Sequence, residues 1–177
     1  MPTLQRKDAA STIESRASLP VTHPHPHSEQ EHFPQPERTV SVLAVSPFED
    51  DHVFLGNIFS HSNWHISGVR CWRDALVHLA RRRTAVVICE RDVPDADWKN
   101  VLSELAELQD PPLLIVTSRW ADDYLWAEVL NLGGYDVLMK PFDQNEVVRV
   151  ISLAWLNWKN SLGLARSSEA IQLAAAS

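Results

Sequence analysis

The sequence lacks the apolar segments that would place it in or across a membrane. Its uninterrupted apolar runs, such as 85–89 and 113–116, are far shorter than the roughly 20 residues that a membrane-spanning helix needs. Its first residues contain no apolar stretch of the kind found in a signal peptide. We therefore expect a cytoplasmic protein without membrane contact.

Cysteine is scarce. Cys71 and Cys89 are the only two cysteines, so the sequence implies no disulfide framework. Cys89 ends an apolar run, and we expect it to be a small buried hydrophobic residue without a redox role.

Positive charge is also in deficit. The formal net charge is −7, whereas nonspecific nucleic-acid binding depends on Lys and Arg neutralising phosphates. The one basic cluster, Arg81 to Arg83, ends an amphipathic segment, where arginines favour the negative end of a helix dipole. We expect no nucleic-acid partner.

Signatures of catalysis are missing from the sequence. Ser46-Pro47-Phe48-Glu49 follows the first β-rich run, where a nucleotide binder would carry a glycine-rich phosphate loop. No pairing of Ser with His or of Cys with His is evident. We expect no enzyme and no cofactor; an unrelated α/β enzyme that binds a small molecule is the less favoured alternative.

The chain divides by composition into three parts. Residues 1–38 are rich in Pro, His and Ser and include six prolines, so we predict a disordered tail. Its His-Pro repeat, His23 to His27, resembles a weak metal-binding set, but a polar tail with incidental histidines is the favoured interpretation. Residues 39–160 form the predicted domain, and residues 161–177 form a short C-terminal tail.

Within 39–160, β-rich and helical patterns alternate five times. This alternation predicts an α/β fold with a five-stranded parallel sheet that is doubly wound, with helices on both faces. The predicted strands cover 40–45, 64–69, 84–89, 113–116 and 135–139. The predicted helices cover 50–61, 74–82, 97–108, 121–132 and 143–158, with Asp97 as an N-cap and Gly133-Gly134 as a stop signal. Helical spacing predicts an inner stripe in the first helix (Val53, Phe54, Asn57 and Ile58) and in the second (Ala75, Leu76, Leu79 and Ala80).

Working sites of such sheets lie outside the carboxyl ends of the strands. The segments to inspect are therefore 46–51, 90–92, 117–118 and 140–141. They contain acidic, hydroxyl and lysine side chains.

One segment carries a recognisable pattern. Residues 133–142, Gly-Gly-Tyr-Asp-Val-Leu-Met-Lys-Pro-Phe, resemble the Gly-Ala-x-Asp-Tyr-Leu-x-Lys-Pro-Phe signature of the receiver domain of two-component response regulators. The resemblance covers about residues 40–159. It implies a flavodoxin-like fold with strand order 2-1-3-4-5. It also implies an aspartate after the third strand that accepts a phosphoryl group from a kinase, two acidic residues that hold Mg²⁺, and a hydroxyl and a lysine that bind the phosphoryl oxygens.

Carried over residue by residue, the resemblance assigns phosphoryl-binding positions to Thr117 and Lys140. Glu90 occupies the phosphoacceptor position, and Val137 occupies the position of the family's switch aromatic. We expect Lys140 to pair with Glu90, and Pro141 to keep the family's cis-type turn.

The acidic pair of the family falls on Ser46 and Pro47, which are poor ligands for a hard cation. Glu49, Asp50 and Asp92 are the weak metal candidates, and Asp51 is also near. We expect these helix-start carboxylates to favour the helix dipole instead. Retained Mg²⁺ binding is therefore not expected.

These departures predict a stand-alone atypical receiver that acts by protein–protein contact, independently of phosphorylation. Glu90 either imitates the phosphorylated state or is inert. The alternative is a working phosphoacceptor of a phosphorelay that uses Glu90 or Asp92. A sensor kinase or another signalling protein is the expected partner.

The fourth helix, fifth strand and fifth helix are the predicted contact face, which could also form a homodimer. Tyr124, Trp126, Trp155 and Trp158 are its candidate anchors. The residues of the fifth helix expected in the core are Val147, Ile151, Ala154 and Trp158. Its other faces carry Val148, Val150, Leu153, Trp155 and Leu156, so the helix is apolar nearly all round, which predicts that a partner covers it. Alternatively, the C-terminal tail folds back over it.

Overall fold

The computed structural model describes residues 40–60 and 63–175. The predicted N-terminal tail, with its His-Pro repeat, lies outside the described residues. Across the described ranges, no helix has the length and apolar composition that a membrane crossing requires.

Five strands form one parallel sheet. They are β1 (Val40–Val45), β2 (Trp64–Val69), β3 (Val86–Glu90), β6 (Leu113–Ser118) and β7 (Asp136–Met139). Their order is β2-β1-β3-β6-β7, which is the predicted order 2-1-3-4-5 when these five are counted along the chain. β1, β3 and β6 are almost wholly buried, as apolar β-branched runs are when helices cover both faces of a sheet.

Two very short strands, which the sequence did not predict, interrupt the connection after β3. β4 (Asp92–Val93) and β5 (Ala96–Asp97) pair antiparallel in a sheet of their own. Asp97 then caps the next helix, since its carboxylate accepts hydrogen bonds from the amides of Lys99 and Asn100. The predicted N-cap is confirmed.

Five helices complete the domain. They are α1 (Glu49–Phe59), α2 (Trp72–Leu79), α3 (Trp98–Ala106), α4 (Asp123–Leu132) and α5 (Gln144–Ala175). Gly133 ends α4 in the left-handed region, at φ 102°, as the glycine pair predicted.

The sheet has an apolar core on each face. On one face, side chains of α2, α3 and α4 pack together, including Trp72, Val101 and Val129. On the other, side chains of α1 and α5 pack together, including Leu55 and Ile151. The predicted doubly wound arrangement is confirmed.

The buried face of α1 differs from the expected one. The sequence suggested a stripe of Val53, Phe54, Asn57 and Ile58, whereas the buried residues are Asp51, Leu55 and Phe59. The spacing of four places these three on one helix face. An acidic residue therefore points toward the sheet at the start of α1.

α2 is also shifted from its predicted bounds. It starts at Trp72, which is buried, whereas Leu76 and Ala80, expected inside, are exposed. The cause is a cap from the β4–β5 connection. The Asp95 carboxylate accepts hydrogen bonds from the amides of Trp72 and Arg73, at 2.7 and 2.9 Å.

α5 is twice as long as predicted. Helix continues past Trp158 to Ala175, so the described residues do not fold back over it, and that alternative is wrong. Nothing between Lys159 and Ala175 breaks a helix strongly: no proline occurs there, and Gly163 is tolerated at a modest energetic cost. Val150, expected on the outer face, is buried, while Leu153 and Leu156 are exposed.

Candidate functional site

Five elements bring polar side chains to the carboxyl edge of the sheet. Glu90 ends β3, and its register partner on β6 is Thr117. Ser46 follows β1, Lys140 follows β7, and Asp51 lies in the first turn of α1. All five side chains belong to buried residues, although polar groups avoid burial unless they are paired.

Lys140 is the centre of this cluster. Its Nζ contacts Oδ2 of Asp51 and Oε2 of Glu90, forming two ion pairs. The three side chains are only 5, 10 and 11% exposed, in the order Lys140, Asp51, Glu90. The ion pair expected between Lys140 and Glu90 is present, and Asp51 joins it.

Hydroxyl groups also donate hydrogen bonds to one oxygen of each carboxylate. Ser46 Oγ donates to Asp51 Oδ2, and Thr117 Oγ1 donates to Glu90 Oε2 at 3.2 Å. The Phe48 amide donates to Ser46 Oγ at 3.2 Å. Buried charges are tolerated when opposite charges and hydrogen bonds compensate their lost hydration, and this cluster supplies both.

The backbone and two aromatic rings position Lys140. Its amide donates to the carbonyl of Ser118 at 3.0 Å, and the Lys140–Pro141 peptide is cis, as expected. The ring centres of Phe48 and Phe142 lie 5.0 and 5.5 Å from Nζ, close enough for cation–π attraction.

A cavity of about 390 Å³ opens beside the cluster. Its lining includes Asp50, Phe54, Arg119 and Phe142 together with Asp51 and Lys140. Phe54 and Phe142 lie with their ring centres 5.6 Å apart. The ion pair of Lys140 with Asp51 thus borders a largely apolar opening.

Cys89 directly precedes Glu90 on β3 and is fully buried. Burial raises the pKa of its thiol to about 12, and the neighbouring Glu90 charge adds to the increase. The Cys89 Sγ donates to the Glu90 carbonyl at 3.3 Å. A thiol with so high a pKa remains protonated and is a poor nucleophile, in agreement with the expected structural role.

The three weak metal candidates do not converge on this site. Glu49 is exposed and pairs with Arg70, and Asp92 is exposed and pairs with Arg91 at 2.9 Å. Asp50 is exposed and lines the cavity. Asp51 is in the first turn of α1, as expected, but it also contacts Lys140, which was not predicted. The spacing of Asp51 with the apolar residues Leu55 and Phe59 places all three on one helix face, and this spacing could have predicted that Asp51 is buried.

The Mg²⁺ ion implied by the receiver resemblance does not fit these residues. The two carboxylate oxygens that converge here already contact an ammonium group, and Pro47 has no side-chain ligand atom. In the described part of the chain, no group of three His, Cys, Asp or Glu side chains could hold a metal ion.

Val137, at the position of the family's switch aromatic, is buried. Its side chain lies in the apolar core that includes Leu125 and Val129 of α4. It is a branched aliphatic side chain without a polar group, so it can present neither a ring nor a hydroxyl at the surface.

The candidate interface aromatics lie on two helices and differ in exposure. Tyr124 and Trp126 on α4 are 76 and 49% exposed, and Trp126 Nε1 donates to Asp136 Oδ1 at 3.1 Å. Trp155 and Trp158 on α5 are half-buried against the core. Trp158 Nε1 donates to the Pro111 carbonyl at 3.0 Å, so this ring is held within the domain.

Comparisons with known proteins agree with this geometry. The sequence model of the response regulator receiver domain matches residues 48–152, more than half of the chain. No curated protein matches the chain.

Many solved structures share the fold. A signal receiver domain of an HD domain-containing protein from Pseudomonas fluorescens Pf-5 is 24% identical, with a TM-score of 0.63 over 70% of this chain and 99% of that one. The receiver domain of the Francisella response regulator 1452 is 19% identical, with a TM-score of 0.61 over 67 and 98%. The beryllofluoride-activated NtrC4 receiver domain dimer is 21% identical, with a TM-score of 0.62 over 67 and 98%.

Receiver domains are signalling domains, not typically enzymes, and they interact with signalling proteins such as kinases. The family match, the strand order and the Thr117–Glu90–Lys140 arrangement lead to one assignment. This chain belongs to the response regulator receiver domain family.

Proposed function

We propose that this chain is an atypical receiver that signals by protein–protein contact without being phosphorylated. The observation that carries the proposal is the buried cluster in which Lys140 is bound by both Asp51 and Glu90. A phosphoacceptor must offer a carboxylate oxygen in line with an incoming phosphoryl group. The Oε2 atom of Glu90 is instead engaged by Lys140 and Thr117.

The chemistry of Glu90 supports the same conclusion. Its side chain is one methylene longer than that of aspartate, which displaces the carboxylate by about one C–C bond, and phosphoryl transfer tolerates little displacement. The longer side chain brings negative charge to Lys140 and Thr117. In the family these two positions bind phosphoryl oxygens, so Glu90 acts as a permanent substitute for the phosphorylated aspartate.

The partner surface that we propose lies on α4 and β7. Tyr124, Trp126 and Met139 are large and well exposed there, and so is Trp120 in the turn before α4. Trp and Tyr are frequent anchors of protein interfaces. A cytoplasmic signalling protein such as a sensor kinase would use this face, and a second copy of the chain could use it together with α5. The NtrC4 receiver, which shares the fold, is described as a dimer.

Intact-mass spectrometry tests the proposal directly. The protein is incubated with Mg²⁺ and acetyl phosphate beside a conventional receiver. We expect no added phosphoryl group on this chain, with labelling of the conventional receiver. One added phosphoryl group that is lost in Glu90→Gln or Asp92→Asn would replace the proposal with that of a working phosphoacceptor.

The surface is tested separately by sedimentation of the full chain and by binding to a candidate kinase. Trp126→Ala should weaken either association, whereas Val77→Ala, at an exposed position on α2, should leave it unchanged. If the wild type associates and both variants associate equally well, the α4 surface is not the contact face.

A further inference from the structure

We infer that the Lys140 ammonium takes the place of a divalent cation in this chain, so that the site is closed without metal. Removing that ammonium would leave Asp51 and Glu90 as a divalent-cation site. The inference rests on the cluster that carries the proposed function. It is tested by metal binding, however, whereas the proposed function is tested by phosphorylation, so the two can fail separately.

The first argument is the ligand set around Nζ. Carboxylate oxygens from α1 and β3 converge on one nitrogen atom. The hydroxyls of Ser46 and Thr117 bind those same oxygens. Carboxylates and neutral oxygens in one small space are what hard cations such as Mg²⁺, Mn²⁺ and Ca²⁺ select. An ammonium is a compact positive charge with three donors and can occupy the same place.

The second argument is the charge balance. Two carboxylates and one ammonium leave the described cluster with one net negative charge, and no other cationic side chain contacts Asp51 or Glu90 within the residues described. A divalent cation would have to displace Lys140 from both carboxylates, because Ser46 and Pro47 supply no further charged oxygen. The rings of Phe48 and Phe142 also lie against Nζ and limit access from those directions.

Asp51 supplies the second carboxylate of this arrangement. The resemblance places the family's acidic pair at Ser46 and Pro47, which contribute no charge. Asp51 comes from the first turn of α1 and reaches the cluster because it lies on the helix face that also buries Leu55 and Phe59. Asp51 thus supplies a carboxylate from a position other than that of the family's acidic pair, and this carboxylate forms an ion pair with Lys140.

The experiment compares wild type, Lys140→Met and Lys159→Met by calorimetric titration with Mn²⁺ and Mg²⁺, with circular dichroism to verify folding. Lys159→Met is the matched control because Lys159 is exposed on α5 and is near the Trp155 ring. We expect wild type and control to bind both ions equally weakly. Lys140→Met should bind Mn²⁺ with a Kd at least about tenfold lower, since the positive charge that competes for the two carboxylates is gone. Adding Asp51→Asn to Lys140→Met should abolish the gain.

Two results would overturn the inference. One is a folded Lys140→Met variant whose Mn²⁺ affinity equals that of the control. The other is tight Mg²⁺ binding by wild type that Asp51→Asn or Glu90→Gln removes. If Lys140→Met does not fold, NMR of the lysine Nζ groups in the wild-type protein decides. A protected Lys140 signal that millimolar Mg²⁺ leaves unshifted supports the inference, and its displacement by Mg²⁺ refutes it.

Discussion

Lys140 and Asp51 are 89 residues apart in the sequence and form a buried ion pair at the carboxyl end of the sheet. The pair joins the first turn of α1 to the loop after β7. Glu90 binds the same ammonium from β3. In this receiver, one side chain therefore connects elements from the beginning, middle and end of the domain.

A comparison of Asp50 with Asp51 distinguishes the stabilisation by the Lys140 ion pair from the stabilisation by the helix dipole. Asp50 and Asp51 both lie in the first turn of α1, but only Asp51 contacts Lys140. We expect Asp51→Asn to lower the free energy of unfolding by about 1–3 kcal/mol, because a charged hydrogen bond in a buried cluster is lost. Asp50→Asn should change it by less than about 0.5 kcal/mol, as exposed substitutions usually do. Urea unfolding measures both, and equal losses would show that the dipole alone matters.

The cap that Asp95 provides to α2 should make stability depend on pH. The pKa of Asp95 is lowered, chiefly by the hydrogen bond from the Trp72 amide to its carboxylate. A lowered folded-state pKa adds stability above the ordinary Asp pKa, and that stability is lost as the pH falls through the lowered value. Asp95→Ala should cost about 1 kcal/mol at pH 7 and distinctly less near pH 3.

Asp92→Ala is the control for this experiment. Asp92 lies on the same short hairpin, is exposed and pairs only with the adjacent Arg91 among the described side chains. Its substitution should leave unfolding nearly unchanged at both pH values. If the two alanine variants lose equal stability at pH 7, the cap has no energetic role.

The two cysteines should differ sharply in thiol reactivity. Cys89 is buried with a pKa of about 12, whereas Cys71 is partly accessible at the start of α2. At pH 8 we expect a disulfide reagent to label one thiol of the folded protein and two in denaturing urea. Cys71→Ser should remove the folded-state reaction. Rapid labelling of Cys89 in folded Cys71→Ser would show that the sheet is open at β3.

Two glycine substitutions should change stability in opposite directions. Gly56 lies inside α1, and an added Cβ meets no atom within 4 Å, so Gly56→Ala should stabilise the domain by about 0.5–1 kcal/mol. Gly133 has a φ of 102°, and Gly133→Ala should cost about 1–2 kcal/mol because L-residues are strained there. Thermal unfolding of both variants against wild type checks the signs.

The sheet was predictable because its strands are short apolar runs rich in β-branched residues, and the alternation with helices leaves few topologies. The start of α2 was not predictable from its own sequence. Its cap comes from Asp95, more than 20 residues later in the chain, and local patterns contain no such information. The β4–β5 hairpin has only two residues per strand, too few for any periodicity.

The candidate site was predicted in part. Thr117, Glu90 and Lys140 followed from their positions at strand ends, since parallel register brings such residues to one edge. Asp51 was harder to place, because an acidic residue in a first helical turn has a sufficient local explanation in the dipole. Its spacing with Leu55 and Phe59 could have predicted that its side chain is buried.

The length of α5 has a consequence for hydrogen exchange. The helix has 32 residues, which at 1.5 Å per residue is about 48 Å. Val147, Val150, Ile151 and Ala154 anchor its first half in the core, whereas every described side chain after Leu162 is exposed. Isolated helices of about 13 residues are marginal in water. Amide protons near Ile151 should therefore exchange only on global unfolding, and those near Ser168 by local opening, so that one continuous helix has two distinct exchange rates.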